Sequence, residues 1–583
     1  MAAHRPGVTV TETVLADLRC TPSRRFVPPD VDLGDWSRVE PLFRALLRRP
    51  VDSAASLEEW LLDCSELASA LSEERSRRYV AMTQQTDDPA REAAYLRFVR
   101  EIQPRAEPLW FDLRRRYLEL RTRYPLPEDR YFVLDREVRN TVELFREENV
   151  PLRVQEAELE QRYQKVAGAW TVHFRGREYT VQQMGRFLEE PDRALRQEAW
   201  EAVVRRRLND REVLDGLFDQ LVRLRDRIAR NAGFPDYRAY AFRALGRWDY
   251  TPEDCLAFHA AVERHVVPLL EAVYERRRQE LGVDRLRPWD LEVDPQGRPP
   301  LRPFADGKEL ARKGVQLFGR IHPELGARFR FLVEEGLLDL ESRKGKAPGG
   351  YQATFDERRW PFIFMNAAGL ASDVRTLVHE AGHAFHALAV RDEPLLSYRH
   401  APTEFSEVAS MGMEVLSLRH LDVFYADPAD LRRARREFFE GVLRLLPWVA
   451  TVDAFQHQLY TQPDHSREER ARWWVTVFRR FQRGVDWSGY EEAEAYLWHR
   501  QVHLFVHPFY YIEYGVAQLG ALQLWLRSRE DFAEAVARYQ SALRLGGSRP
   551  LRELFEAAGL RFSLDEDVLA PLARALAEEL ELG

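Results

Sequence analysis

The chain has 583 residues, of which 45% are apolar and 31% charged, and a formal net charge of −8. This composition gives ample material for a buried core and excludes the disordered and fibrous classes. The negative balance argues against nucleic acid or an anionic membrane as a partner, and no uninterrupted apolar stretch reaches the ~18 residues of a membrane span.

The basic residues are skewed, with five lysines against 81 arginines. Runs such as "RRARREFFEG" interleave arginine with glutamate, which reads as solvated helix faces laced with i,i+4 pairs. Cys20, Cys64 and Cys255 are far apart and form neither a disulfide framework nor a cysteine metal motif, in keeping with a reducing compartment. The start, "MAAHRPGVTVTETVLADLRC", lacks a basic segment followed by an apolar one, so no signal peptide is expected and the default location is cytoplasmic.

In chain order, "SLEEWLLDCSELASALSEERSRRYVAMT" repeats apolar residues at three and four and is predicted as a helix capped by Ser56. "DPAREAAYLRFVREIQPRAEPLWFDLRRRYLELRTRY" continues in the same style, suggesting stacked antiparallel hairpins. "AWTVHFRGREYTV" alternates and turns at Arg175-Gly176, the pattern of a small β-hairpin. The proline-rich stretch 287–306 reads as an ordered connector. Glycines and a proline between 345 and 350 mark a mobile loop, and "YQATFD" and "PFIFMN" read as two short strands. An exposed edge there could take an extended peptide as an added strand; the plainer alternative is a hairpin that only covers the core.

"DVRTLVHEAGHAFHALAV" follows. Ser372 or Asp373 can cap it, and Leu377, Val378, Ala381, Ala384, Phe385 and Leu388 form its apolar stripe. Positions four apart on a helix differ by about 40° in rotation and about 6 Å along the axis. His379 and His383 therefore point the same way and can share one metal ion. Glu380 lies about 100° round from His379 and is free to act on a metal-bound water. This is the HExxH arrangement, and zinc suits imidazole ligands with an open position for water. The competing reading is a helix whose histidines are simply core residues. A third ligand is required. His386 lies about 10.5 Å along the axis from His379, too far for one ion on a straight helix. The next predicted helix, "APTEFSEVASMGMEVLSLRHL", offers Glu404, Glu407 and Glu414. Glu407 and Glu414 share a face, so Glu407 could bind metal while Glu414 holds a ligand histidine from behind. Spacing does not choose between Glu404 and Glu407.

"DVRTLVHEAGHAFH" followed by "PTEFSEVASMGME" resembles the M3 metallopeptidases, specifically the oligoendopeptidase F type. "SLEEWLLDCSELASAL", "TDDP", "LRPWDL" at 286–291, "PFIFMNAAG" at 361–369 and "HPFYYIEYGVAQLGALQLW" at 507–525 extend the likeness over nearly the whole chain. The resemblance implies a mainly α fold, two-lobed, with a deep substrate channel and a small β-sheet beside the HExxH helix. It implies an N-terminal helical region at 1–110, an oligopeptidase F-type N-terminal domain at 111–195 and a catalytic domain at 196–583.

It also implies one Zn2+ per chain held by His379, His383 and Glu407, which selects Glu407 over Glu404, and Glu380 as general base. His386 becomes a packing residue. A histidine and tyrosines that approach the scissile carbonyl match His503, Tyr511 and Tyr514, with His507 and Tyr510 in the same stretch. The expected activity is endopeptidase cleavage of short unfolded peptides, with neither nucleic acid nor membrane as a partner. Two alternatives stand beside it: a zinc carboxypeptidase with an HExxH helix, and a non-catalytic peptide-binding protein on the same scaffold.

Overall fold

A computed structural model describes residues 10–582. The first nine residues of the segment expected to lack a signal peptide lie outside the described residues. The chain is mainly α-helical, with one two-stranded and one three-stranded sheet among the described residues. No described helix is long and apolar enough to cross a membrane. Two compact units interleave along the sequence. The first comprises residues 1–143, 301–435 and 520–562; the second comprises 144–300, 436–519 and 563–583.

In the first unit, the N-terminal helices Trp36–Arg48, Ala54–Gln84 and Gln103–Arg123 close on a core that includes Phe43, Trp60, Leu109 and Tyr117. The second of these starts three residues earlier than its sequence pattern suggests. Ser53 is the cap, accepting from the Ser56 backbone N–H, and Ser56 returns a hydrogen bond to the Ser53 backbone from the third helical position. Two serines at this spacing make a reciprocal box, so the outer one becomes the boundary.

The three-stranded sheet has the order β3-β5-β4, where β3 is Leu338–Glu341, β4 is Tyr351–Phe355 and β5 is Trp360–Ala367. Strand β5 is central and reads as a run of buried residues, Phe362 to Met365. It pairs antiparallel with β4, Gln352 opposite Ile363, and parallel with β3, Leu338 opposite Ile363. Strand β4 is therefore an edge. The parallel partner β3 carries no alternation that the sequence would reveal in four residues.

The glycine-rich 345–350 segment is hydrogen-bonded along its length. The Ala347 N–H donates to the Thr83 carbonyl, the Gly345 carbonyl accepts from Thr86, and the Asn366 amide donates to the carbonyls of Ala347 and Gly349. Lys346 Nζ is 2.8 Å from Asp339 Oδ1 and sits over the Phe364 ring. These backbone and lysine contacts, invisible to a composition-based reading, tie down a stretch expected to be mobile.

In the second unit, β1 (Thr171–Phe174) and β2 (Arg177–Thr180) form the expected hairpin. Arg175 and Gly176 both have positive φ, 49° and 80°, the conformation a two-residue turn needs to match strand twist. In the 287–306 connector, Asp290 is fully buried and accepts from both Arg193 and Arg196.

Candidate active site

The expected histidine helix spans Ala371–Ala389. Leu370, not Ser372 or Asp373, occupies the cap position. Asp373 instead sits at the third helical residue and accepts the N–H groups of Ala368 and Leu370 at 2.8 Å each. A carboxylate there also complements the positive end of the helix dipole.

The glutamate helix, Thr403–Ser417, packs directly against it. Gly382 permits that approach. A Cβ built on Gly382 would lie 2.5 Å from the Ala409 carbonyl oxygen and 2.6 Å from Ser410 Cα, both backbone atoms that cannot swing away. Gly382→Ala is expected to destabilise the protein by about 1–3 kcal/mol through overpacking, read as a lowered denaturant midpoint. An unchanged midpoint would show that the two helices separate freely.

This crossing brings His379, His383 and Glu407 together, with one ligand atom from each within 4.8 Å of the others. Glu407 Oε2 is 3.4 Å from His379 Nε2 and 3.7 Å from His383 Nε2. Zinc bonds of about 2.0–2.2 Å put tetrahedral ligand atoms about 3.3–3.6 Å apart, so the donor set and its spacing fit that ion. Glu404, though buried on the same helix, is not in this group, and neither is His386. The His386 imidazole is buried against Phe405, its Nε2 has no hydrogen-bond partner, and burial pushes its pKa down to about 3.

Glu414 accepts from His379 Nδ1 at 2.7 Å, which leaves His379 Nε2 to face Glu407. Arg375, one turn before His379, donates to the other Glu414 oxygen at 2.7 Å. A carboxylate behind a ligand histidine fixes its tautomer and raises its basicity. Arg375 was not anticipated, although its i,i+4 spacing from His379 placed it on the right face.

Burial raises the Glu380 carboxyl to about 7, helped by the charge of Glu407 and opposed by His379 and by a hydrogen bond from the Gln352 backbone N–H. The donor is the main-chain N–H of a residue on edge strand β4. Burial alone would lower His379, but its hydrogen bonds to the Glu407 and Glu414 carboxylates outweigh it and raise the imidazole to about 10. His379 is therefore protonated at neutral pH in the metal-free chain and must be neutral to ligate. Metal uptake at pH 7 is expected to release a proton, measurable as a buffer-dependent calorimetric enthalpy. An enthalpy independent of buffer ionisation would contradict this.

His503, Tyr511 and Tyr514 belong to the second unit. The structure brings these three together: the His503 ring centroid is 4.8 Å from Tyr511 and 6.1 Å from Tyr514, with Tyr510 at 5.8 Å and His507 at 6.1 Å. Sequence reading missed what orients them. Trp448 Nε1, which can only donate, lies 3.2 Å from Gln501 Oε1, so the Gln501 amide nitrogen faces His503 Nδ1 at 2.7 Å. Burial lowers His503 to about 4, so the ring is neutral at pH 7. Its proton then resides on Nε2, making that nitrogen a donor.

Just before the tyrosines, Phe509 adopts φ +65°, a conformation costing of order 1–3 kcal/mol for a non-glycine residue. Its N–H donates to buried Gln456 at 2.6 Å, and its carbonyl accepts from Arg247, which also pairs with Glu513. These buried partners hold the strained turn in place.

Fold and side-chain cluster define a mainly helical protein in which an HExxH helix meets a glutamate from a second helix at metal-ligand spacing. Residues 186–574 match Peptidase family M3, and the chain belongs to that family. It is similar to an oligoendopeptidase F homolog of Lactococcus lactis subsp. lactis (strain IL1403), 28% identical over 26% of this chain and 24% of that protein. It is also similar to oligopeptidase PepF of Bacillus subtilis (strain 168), 22% identical over 66% of this chain and 56% of that protein. The chain thus spans from about a quarter to just over half the length of these curated relatives. The solved structure of PZ peptidase A with inhibitor 2 superposes with a TM-score of 0.85, at 28% identity over 96% of this chain and 99% of that one.

Proposed function

We propose that the chain is a zinc-dependent endopeptidase that hydrolyses internal bonds of short, unfolded peptides. The observation that carries this reading is a buried carboxylate, Glu380, on the same helix as two imidazoles that meet Glu407 at metal-ligand spacing. A helix of merely structural histidines has no need of a third ligand from another helix or of a base beside it. Residues His379, His383 and Glu407 would hold the zinc, which supplies a Lewis acid and a bound water of lowered pKa.

Glu380 is the proton carrier. It takes a proton as water attacks the peptide carbonyl and returns it to the leaving amine. Burial pushes its carboxyl upward, toward the range where one group can both take and return a proton. His503 Nε2–H and the hydroxyls of Tyr511 and Tyr514 are proposed as donors to the developing oxyanion. Edge strand β4 is proposed to receive the substrate backbone as an added strand.

Tyr514→Phe is expected to lower kcat by about 10²–10³-fold, the usual cost of one oxyanion donor, while KM changes less. A change confined to KM would make Tyr514 a binding residue only. The reading as a whole is tested by a peptide length series with mass-spectrometric product mapping, with and without chelator, and with blocked C-termini. Internal cleavage of short blocked peptides that stops on chelation is expected. Loss of cleavage on blocking would identify a carboxypeptidase, and binding without cleavage a non-catalytic peptide receptor.

A further inference from the structure

A second cluster of ligand-type side chains lies in the core of the second unit. Helix Pro252–His265 carries Cys255 and His259 four residues apart, and helix Pro428–Thr461 carries Asp453 and His457 four residues apart. Each pair therefore shares one helix face, the spacing that lets His379 and His383 converge. All four side chains are buried, none more than 4% exposed. One ligand atom each from Cys255, Asp453 and His457 falls within 4.8 Å of the others. His259 Nε2 and His457 Nε2 approach the same Asp453 oxygen, Oδ2, at 2.9 and 3.1 Å.

Two polar atoms of this cluster have no hydrogen-bond partner among the described residues although both are buried: Asp453 Oδ1 and His259 Nδ1. A buried carboxylate oxygen without a partner is costly, the more so when charged, and calls for a ligand. We propose that Cys255, Asp453 and His457 form a second metal site, separate from the HExxH site, that takes a zinc-class divalent ion on sulfur, oxygen and nitrogen, with His259 donating to Asp453 from outside the ligand group.

Several physical requirements are met. One thiolate and one carboxylate neutralise a divalent ion exactly in charge, so a net-neutral centre is buried and the ion carries little desolvation penalty. The soft thiolate and the imidazole favour zinc over magnesium or calcium. Tetrahedral ligand atoms lie about 3.3–3.8 Å apart, so the 3.1 Å contact between His457 Nε2 and Asp453 Oδ2 has to open by a few tenths of an ångström. On binding, the Cys255 thiol loses its proton to solvent. The proton now on His457 Nε2 moves to Nδ1, which frees Nε2 to ligate and opens the 3.4 Å contact between His457 Nδ1 and Arg238, while His259 keeps its Nε2 proton on Asp453. The net change is one ion bound and one proton released. Such a centre would clamp two helices of the second unit and contribute stability independent of catalysis.

Sulfur distinguishes the two sites, because the HExxH site has no thiolate. The test uses the full-length chain with Cys20→Ser and Cys64→Ser, which leaves Cys255 as its one thiol, loaded with Co2+. A near-ultraviolet thiolate-to-cobalt charge-transfer band is expected, retained when Glu407→Ala is added and lost with Cys255→Ser. Metal analysis should find one equivalent remaining in the Glu407→Ala chain. Should Cys255→Ser fail to fold, zinc-edge X-ray absorption on the wild-type chain decides the matter. A sulfur neighbour supports the site. Only nitrogen and oxygen neighbours, or a Glu407→Ala chain devoid of metal, would overturn it and leave Asp453 as the acceptor of two imidazole N–H groups.

Discussion

Glu380→Gln is expected to lower kcat by about 10²–10⁴-fold, the range assigned to a positioned general base, with metal content unchanged. Glutamine preserves the shape of the side chain and its acceptance of the Gln352 N–H, but it cannot take up a proton. The proposed metal ligands His379, His383 and Glu407 are untouched, so the loss belongs to proton transfer and not to an emptied site. Because the effect falls on the transition state, kcat and kcat/KM should drop together. In the parent protein, activity should rise as pH climbs through the Glu380 titration, since only the ionised carboxylate accepts a proton. Turnover within a few-fold of wild type in Glu380→Gln would remove Glu380 from the mechanism.

Glu407→Ala is expected to strip the metal, and His386→Ala to retain it. Outer partners of a ligand typically cost 10–100-fold in metal affinity when replaced, so losing a ligand itself should exceed that range. The contrast is sharp because the two residues look alike in the sequence: both are buried, and both are candidates for completing an HExxH site. Glu407 Oε2 lies 3.4 and 3.7 Å from the two ligand nitrogens, whereas His386 packs on Phe405 outside the ligand group. Metal retained in Glu407→Ala and lost in His386→Ala, by elemental analysis of folded protein, would reverse the assignment.

The site was legible in the sequence to the extent that it rests on helical periodicity. His379, His383 and Glu380 follow from a single helix, and the pairing of Glu407 with Glu414 follows from a seven-residue spacing. The choice of Glu407 over Glu404 did not, because it depends on how one helix crosses another. That crossing is set by Gly382, whose lack of a side chain carries no directional signal in the chain. Strand β3 was missed because four residues give too short a pattern, and the interleaving of the two units because long-range contacts leave no local trace. The Trp448–Gln501–His503 chain of hydrogen bonds was hidden for the same reason: its members are 53 and 2 residues apart, on separate elements.

The bond from the Gln352 backbone to Glu380 has an evolutionary side. Every residue but proline supplies a backbone N–H at position 352. The side chain there can vary without withdrawing the hydrogen bond that holds the base. Under the proposed function, in which Glu380 is the base and β4 receives the substrate, position 352 is where substrate preference can drift by mutation while the base stays in place, a rational starting point for libraries that seek new cleavage specificity.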